Sequence, residues 1–269
     1  MDSHELDFIK KLANNYRKEL FEKFVEVGQG HPGSTFSMLD IVTTLYYGGY
    51  MDYRKDSNRF ANKLLISKGH ATVALYPILK HFEIIPKEDW DNWGKGLPTQ
   101  LRVFGNVSIP GVDMTSGSLG HGVGVGAGMA IANPHNHVHT IISEGELYEG
   151  STWEALLFVA HRQIRNMTIF IDINNLIILG KTDDCLMLNS IREKLSGFPF
   201  DLYTVDGHNP NSIAAALDAG AYQPKIILCN TVKGKGFSLM ENKPEWHYMQ
   251  AITPEQIEQC RKEINDATA

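Results

Sequence analysis

The sequence predicts an α/β fold with a mostly parallel central sheet and helices on both of its faces. Three observations carry that prediction. Short apolar runs alternate with segments of helical periodicity along the chain. The runs 138–142 and 167–173 are separated by one helix-length stretch, the spacing of a βαβ unit. Both runs break into small, acidic or amide residues, as strands do at the edge of an open parallel sheet where ligands collect.

Taken in order, the first element is an amphipathic helix over 5–27, because Leu6, Ile9, Ala13, Tyr16, Leu20 and Phe24 recur every three or four positions between charges. Gly28-Gln29-Gly30-His31-Pro32-Gly33-Ser34 ends it as a shaped loop, with Ser34 placed to cap a helix through 41–47. A loop histidine such as His31 is either solvated or a proton-transferring group, and it does not decide between the two alone. Residues 64–66 read as a short buried strand. It breaks into Ser67-Lys68-Gly69-His70-Ala71 ahead of a helix through 75–79. Two histidines at turns that open helices point to a shared anionic or proton-transferring site. The segment 84–106, with Trp90 and Trp93, is irregular and expected to wrap the surface.

Gly122, Gly124 and Ala127 satisfy a loose GxGxxA dinucleotide pattern, but 108–120 is turn-rich and that motif needs a strand feeding the loop. The glycines at 122, 124, 126 and 128 instead predict a buried helix packed closely against backbone or a partner chain. The central unit then supplies Ser143-Glu144-Gly145-Glu146 at one strand end and Asn174-Asn175-Leu176 at the next. A carboxylate, an amide oxygen and a main-chain carbonyl suit Mg²⁺ or Ca²⁺, with water or phosphate oxygens completing the shell. Gly145 admits a phosphate close to the backbone, and the helix opening near Glu149 adds positive potential. The ligand so inferred is a metal-bridged diphosphate.

Beyond it lie a weakly helical stretch at 186–195, a strand at 202–205, an Ala-rich helix at 212–221, a strand at 225–230 and a terminal amphipathic helix over 254–269. Lys233-Gly234-Lys235-Gly236 lacks the spacing and the final Lys-Ser/Thr of a P-loop. Glu245-Trp246-His247 supplies a third loop histidine. No repeat or linker divides the chain, so 1–269 is expected to be one domain.

With 43% hydrophobic and 21% charged residues the composition is that of an ordinary globular protein. A formal net charge of −6 and no basic stripe argue against nucleic acid. Cys185, Cys229 and Cys260 show neither CxxC nor zinc spacing, so a reduced compartment is expected. The acidic start of the chain does not read as a targeting peptide, and no apolar run approaches the ~18 residues of a membrane span. The expected location is cytoplasmic.

Six segments, in the same order and over nearly the whole chain, resemble transketolase: Gly30-His31-Pro32-Gly33, Ser67-Lys68-Gly69-His70-Ala71, Gly117-Ser118-Leu119-Gly120-His121-Gly122, the unit joining Glu144 to Asn174, Asp206-Gly207-His208, and Pro244-Glu245-Trp246-His247. The match is to the amino-terminal, thiamine diphosphate-binding domain. Transketolases are normally more than twice this long, so the chain resembles the first half of split transketolases, whose pyrimidine-binding half is a separate carboxy-terminal subunit.

The resemblance implies that Glu144, Asn174 and the carbonyl of Leu176 hold the metal, with Gly145 and Glu146 at the diphosphate. His70 and His247 would touch or approach the diphosphate, and His31 would face the substrate hydroxyls, making these three the catalytic histidines. Gly117 and Leu119 would border the aminopyrimidine, Ile178 would press on the cofactor, and Glu149 would lie near a dimer axis. The implied reaction moves a two-carbon ketol unit from a sugar donor to an aldehyde, within a homodimer or a heterotetramer of two chain types. The glutamate that activates the cofactor belongs to the other domain, so this chain alone is expected to be inactive. The alternatives are a 2-oxo acid decarboxylase or dehydrogenase subunit, or a non-catalytic partner subunit.

Two departures stand out. Ser143-Glu144-Gly145 replaces the family's Gly-Asp-Gly, and Arg102-Val103-Phe104-Gly105 replaces a Gly-His-Pro segment whose histidine touches the donor's terminal hydroxyl. Donor preference is therefore expected to differ from that for ordinary sugar phosphates.

Overall fold

A computed structural model describes residues 1–178, 180–188 and 190–267 of the chain. Helix α1 (Ser3–Val27) opens on a capping box, in which Asp2 accepts the N–H of Glu5 and Glu5 accepts that of Asp2, both at 2.8 Å. Helix α2 (Pro32–Tyr47) starts earlier than the sequence suggests. Pro32 pre-sets the first helical φ, so His31 becomes the N-cap residue, and Ser34 lies buried within the first turn, making no cap.

A two-stranded antiparallel ribbon, β1 (Tyr53–Arg54) with β2 (Arg59–Phe60), precedes the main sheet. That sheet takes β3 (Lys63–Ile66), β4 (Val138–Ser143), β5 (Met167–Ile173), β6 (Asp201–Asp206) and β7 (Lys225–Asn230) in the order β3-β4-β5-β7-β6. Every pairing is parallel. Alternate residues of each strand therefore enter different cores. Ile141, Phe170 and Ile227 pack with Leu20, Phe21, Phe24, Phe36 and Leu39 of α1 and α2. Ile142, Ile169 and Leu228 pack on the opposite face with Val123, Leu156 and Leu195. These last three come from α5 (Gly122–Ala132), α6 (Gly150–Arg162) and α8 (Ile191–Ser196). The sheet is thus covered on both sides, as near-continuous apolar strands require.

Between β3 and β4 run α3 (Tyr76–His81) and α4 (Lys87–Asn92). The segment 84–106 is not merely a surface wrap: Trp90 and Trp93 are buried, stacked at 6.0 Å between centroids. Two indoles bury too much apolar area to be left in water. The stretch 186–195 forms only α8, after α7 (Thr182–Cys185), and Asn189 within it lies outside the described residues. Helix α9 (Pro210–Asp218) joins β6 to β7, and α10 (Pro254–Asp266) closes the first core with Cys260 and Ile264. The last two positions of the expected terminal helix, Thr268 and Ala269, also lie outside the described residues. Among the described residues no helix is long and apolar enough to cross a membrane.

The strand order positions the site. The chain proceeds β3, β4, β5, then jumps to the edge strand β6 and returns to β7 beside β5. At such a switch the connections leave in opposite directions and open a crevice at the carboxyl ends of the strands. Ser67, Ser143, Asn174 and Thr231 all lie at that edge.

Candidate active site

Strands β4 and β5 are paired with Ser143 opposite Asp172, so Glu144 and Asn174 leave the sheet side by side. Glu144 Oε1 accepts the main-chain N–H groups of Asn174 and Leu176, each at 3.1 Å. The Leu176 N–H also reaches Asn174 Oδ1 at 3.2 Å. Asn175 between them adopts φ 60°, a left-handed conformation that asparagine tolerates, and this turns the backbone back toward the two oxygens. The amide pair therefore has two tasks, one in a side chain and one in the backbone. Burial, then the nearby Asp172 carboxylate, pushes the Glu144 carboxyl up to about 7.

Beneath this pair, Asp172 accepts hydrogen bonds from Lys68 Nζ, from Ser37 Oγ at 2.6 Å and from Thr231 Oγ1. Burial opposes its ionisation, yet Lys68 and the two hydroxyls hold the carboxyl below the usual range. Lys68 is thereby neutralised. Lys233 is not: Nζ donates to the Ile177 carbonyl at 3.0 Å, and no carboxylate pairs with it among the described residues. Burial, then Lys68, draws its pKa down to about 8.

The loop carrying Lys233 is fixed from behind. Val232 N–H donates to His208 Nε2 at 2.8 Å, so His208 Nδ1 carries the proton and donates to Asp40 at 2.7 Å, beside Arg17. The Asp206-Gly207-His208 motif is thus a prop for the cation. Gly33 leaves the space the cation needs, since a Cβ there would meet the Trp246 carbonyl at 2.9 Å and Lys233 Cγ at 3.1 Å.

The three loop histidines come together. The rings of His31 and His70 are 5.1 Å apart, those of His31 and His247 5.3 Å, and those of His70 and His247 5.2 Å. Burial, then Lys233, lowers His31 to about 4 and His247 to about 3, and burial, then Lys68, drives His70 well below its ordinary value. All three are neutral at pH 7. Nδ1 of His31 and of His247 are buried with no hydrogen-bond partner among the described residues. Unpaired buried nitrogens of this kind require an explanation, and a bound ligand supplies one.

A cavity of about 540 Å³ joins these groups, lined by the three histidines, Gly117, Leu119, Glu144, Gly145, Glu149, Asn174, Leu176 and Ile178. Glu146, expected at the diphosphate, is not on that wall. It is the N3 residue of a capping box after β4, and its carboxylate turns back to accept from Ser67 Oγ, Gly120 N–H at 2.9 Å and Ser143 N–H at 3.0 Å. It clamps three loops together behind the cavity. Ser34, Phe104, Lys233 and Tyr248 also line the space and were not read from the sequence as site residues. A Gly-rich loop with two lysines soon after a strand, at the edge where the other candidates gather, signalled a cation there without singling out Lys233 from Lys235.

The parallel α/β fold thus brings an acid, an amide and, among the described residues, a lysine without a carboxylate partner around one cavity at the carboxyl edge of its sheet, the arrangement of a ligand-binding α/β protein. The family model described as "Transketolase, thiamine diphosphate binding domain" matches residues 9–266, and the chain belongs to that family. It is 33% identical over 260 residues to the 6-deoxy-6-sulfo-D-fructose transketolase subunit SqwG of Clostridium sp. (strain MSTE9), covering 93% of each chain. It is 29% identical to an apulose-4-phosphate transketolase subunit of Phocaeicola vulgatus, covering 97% of this chain and 95% of that one. The transketolase structure from Campylobacter jejuni superposes with a TM-score of 0.86 at 22% identity, over 98% of this chain and 43% of that chain, a likeness of fold. The chain therefore spans less than half the length of that transketolase.

Proposed function

We propose that the chain is the thiamine diphosphate- and metal-binding subunit of a two-chain transketolase, moving a two-carbon ketol unit from a ketose to an aldehyde. The observation that carries this reading is the convergence of Glu144 and Asn174 on one cavity with three neutral imidazoles. Two relatives that match nearly end to end are named as transketolase subunits.

The residues fit a metal-bridged diphosphate. Glu144, Asn174 and the Leu176 carbonyl would hold Mg²⁺ or Ca²⁺, and a set with a single acidic member leaves positions for phosphate oxygens. Among the described residues, and chain neighbours aside, the atoms nearest a Cβ built on Gly145 lie at 3.7 Å, so packing does not demand glycine there and a ligand can approach. Lys233 supplies the unneutralised charge that a diphosphate needs. When bound, thiamine diphosphate supplies the electron sink for breaking the bond beside a ketose carbonyl.

The protein's own part is orientation and proton handling. Neutral His31, His70 and His247 can hydrogen-bond substrate hydroxyls without repelling the cations beside them, and the negative charge of a bound diphosphate would raise their basicity toward the range in which an imidazole passes a proton. Leu119 and Ile178 give the cavity apolar surface, while Gly117 keeps it open.

The reading includes a separate subunit carrying the pyrimidine-binding half, and 1–269 working as one domain in the cytoplasm. A homodimer or heterotetramer is favoured by exposed Val125 and Ile131 on α5 and Leu157 and Phe158 on α6. The test is reconstitution. The chain mixed with its partner subunit, Mg²⁺ and thiamine diphosphate should transfer ketol units between ketose and aldehyde, and either chain alone should not. Absence of transfer from every ketose tried, with cofactor bound, would contradict the assignment.

A further inference from the structure

A second cavity, of about 340 Å³, lies at the amino ends of the strands, the edge of the sheet opposite the candidate active site. That volume is at the lower end of the range for small-molecule sites. Part of its wall is a row in register, His139 of β4 beside Thr168 of β5 beside Lys225 of β7. His137, just before β4, and Arg165, just before β5, stand at the same edge. The lining holds four basic side chains and, among the described residues, no acidic one, in a chain whose formal net charge is −6.

The two permanent charges are unanswered. Lys225 Nζ donates to the carbonyls of Ala216, Leu217 and Ala219 at 2.8, 2.7 and 2.9 Å, and no carboxylate lies at ion-pair distance among the described residues. Arg165 is exposed, and its side chain forms no ion pair or hydrogen bond among them. His139, by contrast, is 3% exposed. Its Nε2 lies 3.3 Å from the Tyr50 carbonyl, which can only accept, so Nε2 carries the proton and Nδ1 the lone pair. Burial, then His137, lowers this imidazole to about 3, so it is neutral at pH 7. Nδ1 is buried with no partner among the described residues, and leaving such an acceptor unfilled is costly.

The cavity thus asks for negative charge at Arg165 and Lys225 and for a hydrogen-bond donor at His139 Nδ1. Water alone would satisfy the nitrogen and leave the charges unanswered. A metal ion, which rings 4.6 Å apart such as those of His137 and His139 would otherwise suit, is repelled by the same two charges. We propose that this cavity binds a small hydroxylated anion, a phosphate monoester or a carboxylate, with its charge on Arg165 and a hydroxyl donating to His139 Nδ1. The site is separate from the candidate active site and independent of the ketol-transfer reading.

The experiment is calorimetry on the full chain at pH 7. The probes are glycerol 3-phosphate and glycerate, their counterparts without hydroxyls, propyl phosphate and propionate, and uncharged glycerol. At least one hydroxylated anion should bind saturably, its counterpart about 10-fold more weakly or less, and glycerol not at all; which anion binds assigns the phosphate or the carboxylate. Arg165→Gln, a change at an exposed side chain, should weaken binding by about 10- to 100-fold, as loss of a charge-assisted hydrogen bond does. His139→Phe should weaken the hydroxylated anion by about 10-fold and leave its counterpart unchanged. Lys233→Met, in the other cavity, should alter nothing. Absence of saturable binding, or binding indifferent to Arg165→Gln, overturns the proposal. Binding lost in Lys233→Met places the anion in the active-site cavity and overturns it as well, and equal binding of an anion with and without hydroxyls overturns the ligand class.

Discussion

Glu144 and Asn174, 30 residues apart in sequence, accept hydrogen bonds from one main-chain N–H, that of Leu176, at 3.1 and 3.2 Å. Replacing Asn174 with alanine removes one oxygen of the set while Glu144 keeps both of its main-chain partners. Affinity of the assembled complex for thiamine diphosphate with Mg²⁺ should fall at least about 10-fold, measured by calorimetry. Unchanged affinity would remove Asn174 from the metal set.

Lys233 is a buried cation with no carboxylate at ion-pair distance among the described residues, Asp172 and Glu144 acting on it only from farther away. Its removal should separate binding from stability. Lys233→Met should weaken thiamine diphosphate binding by about 10- to 100-fold, the worth of a charge-assisted hydrogen bond of about 1.5–3 kcal/mol. The melting temperature without cofactor should hold or rise, because an uncompensated buried charge is costly. A lower melting temperature with intact binding would make Lys233 a structural residue.

Lys68 and Asp172 behave in the opposite way. Their side chains are 1% and 0% exposed, and each neutralises the other beneath the site. Asp172→Asn leaves Lys68 buried and unpaired, so urea unfolding should show a loss of about 3–5 kcal/mol. A loss below about 1 kcal/mol would mean that solvent reaches the pair.

The histidines set an acid limit. His31 and His137 titrate at about 4 and His139 and His247 at about 3 in the folded chain, against about 6.5 when unfolded. Below pH 6.5 the unfolded chain therefore binds protons that the folded chain refuses, and stability falls as the proton concentration rises. The melting temperature should decline from about pH 6.5 to about pH 3, less steeply below about pH 4 once His31 and His137 protonate, and then flatten with respect to these groups. His139→Phe should make that decline shallower. A flat profile across this window would contradict neutral burial of the imidazoles.

Much of this was legible in the sequence. The β4–β5 unit announced itself because two buried parallel strands read as apolar runs, and Asn174-Asn175 marked the turn through a residue type that accepts left-handed backbone. The sequence also paired His31 with His70 through their shared position at turns that open helices, and marked His247 as a third loop histidine. Three features stayed hidden for physical reasons. Glu146 carries the same chemistry as Glu144, and only the direction of its side chain, set by a capping box, removes it from the cavity. Ser34 looks like a cap until Pro32 begins the helix ahead of it. Lys233 is one of two lysines in a Gly-rich loop, and nothing local distinguishes the buried one from Lys235, which pairs with Glu241.

The proposed role of Glu144 and Asn174 is to join a diphosphate through a divalent ion. The most direct measurement is titration of thiamine diphosphate into the assembled two-chain complex, with and without Mg²⁺, for the natural chain and for Glu144→Ala with Asn174→Ala. Saturable binding that needs the ion, and is lost in the double variant, is the predicted result. Equal binding by both forms, or binding indifferent to the ion, would contradict it.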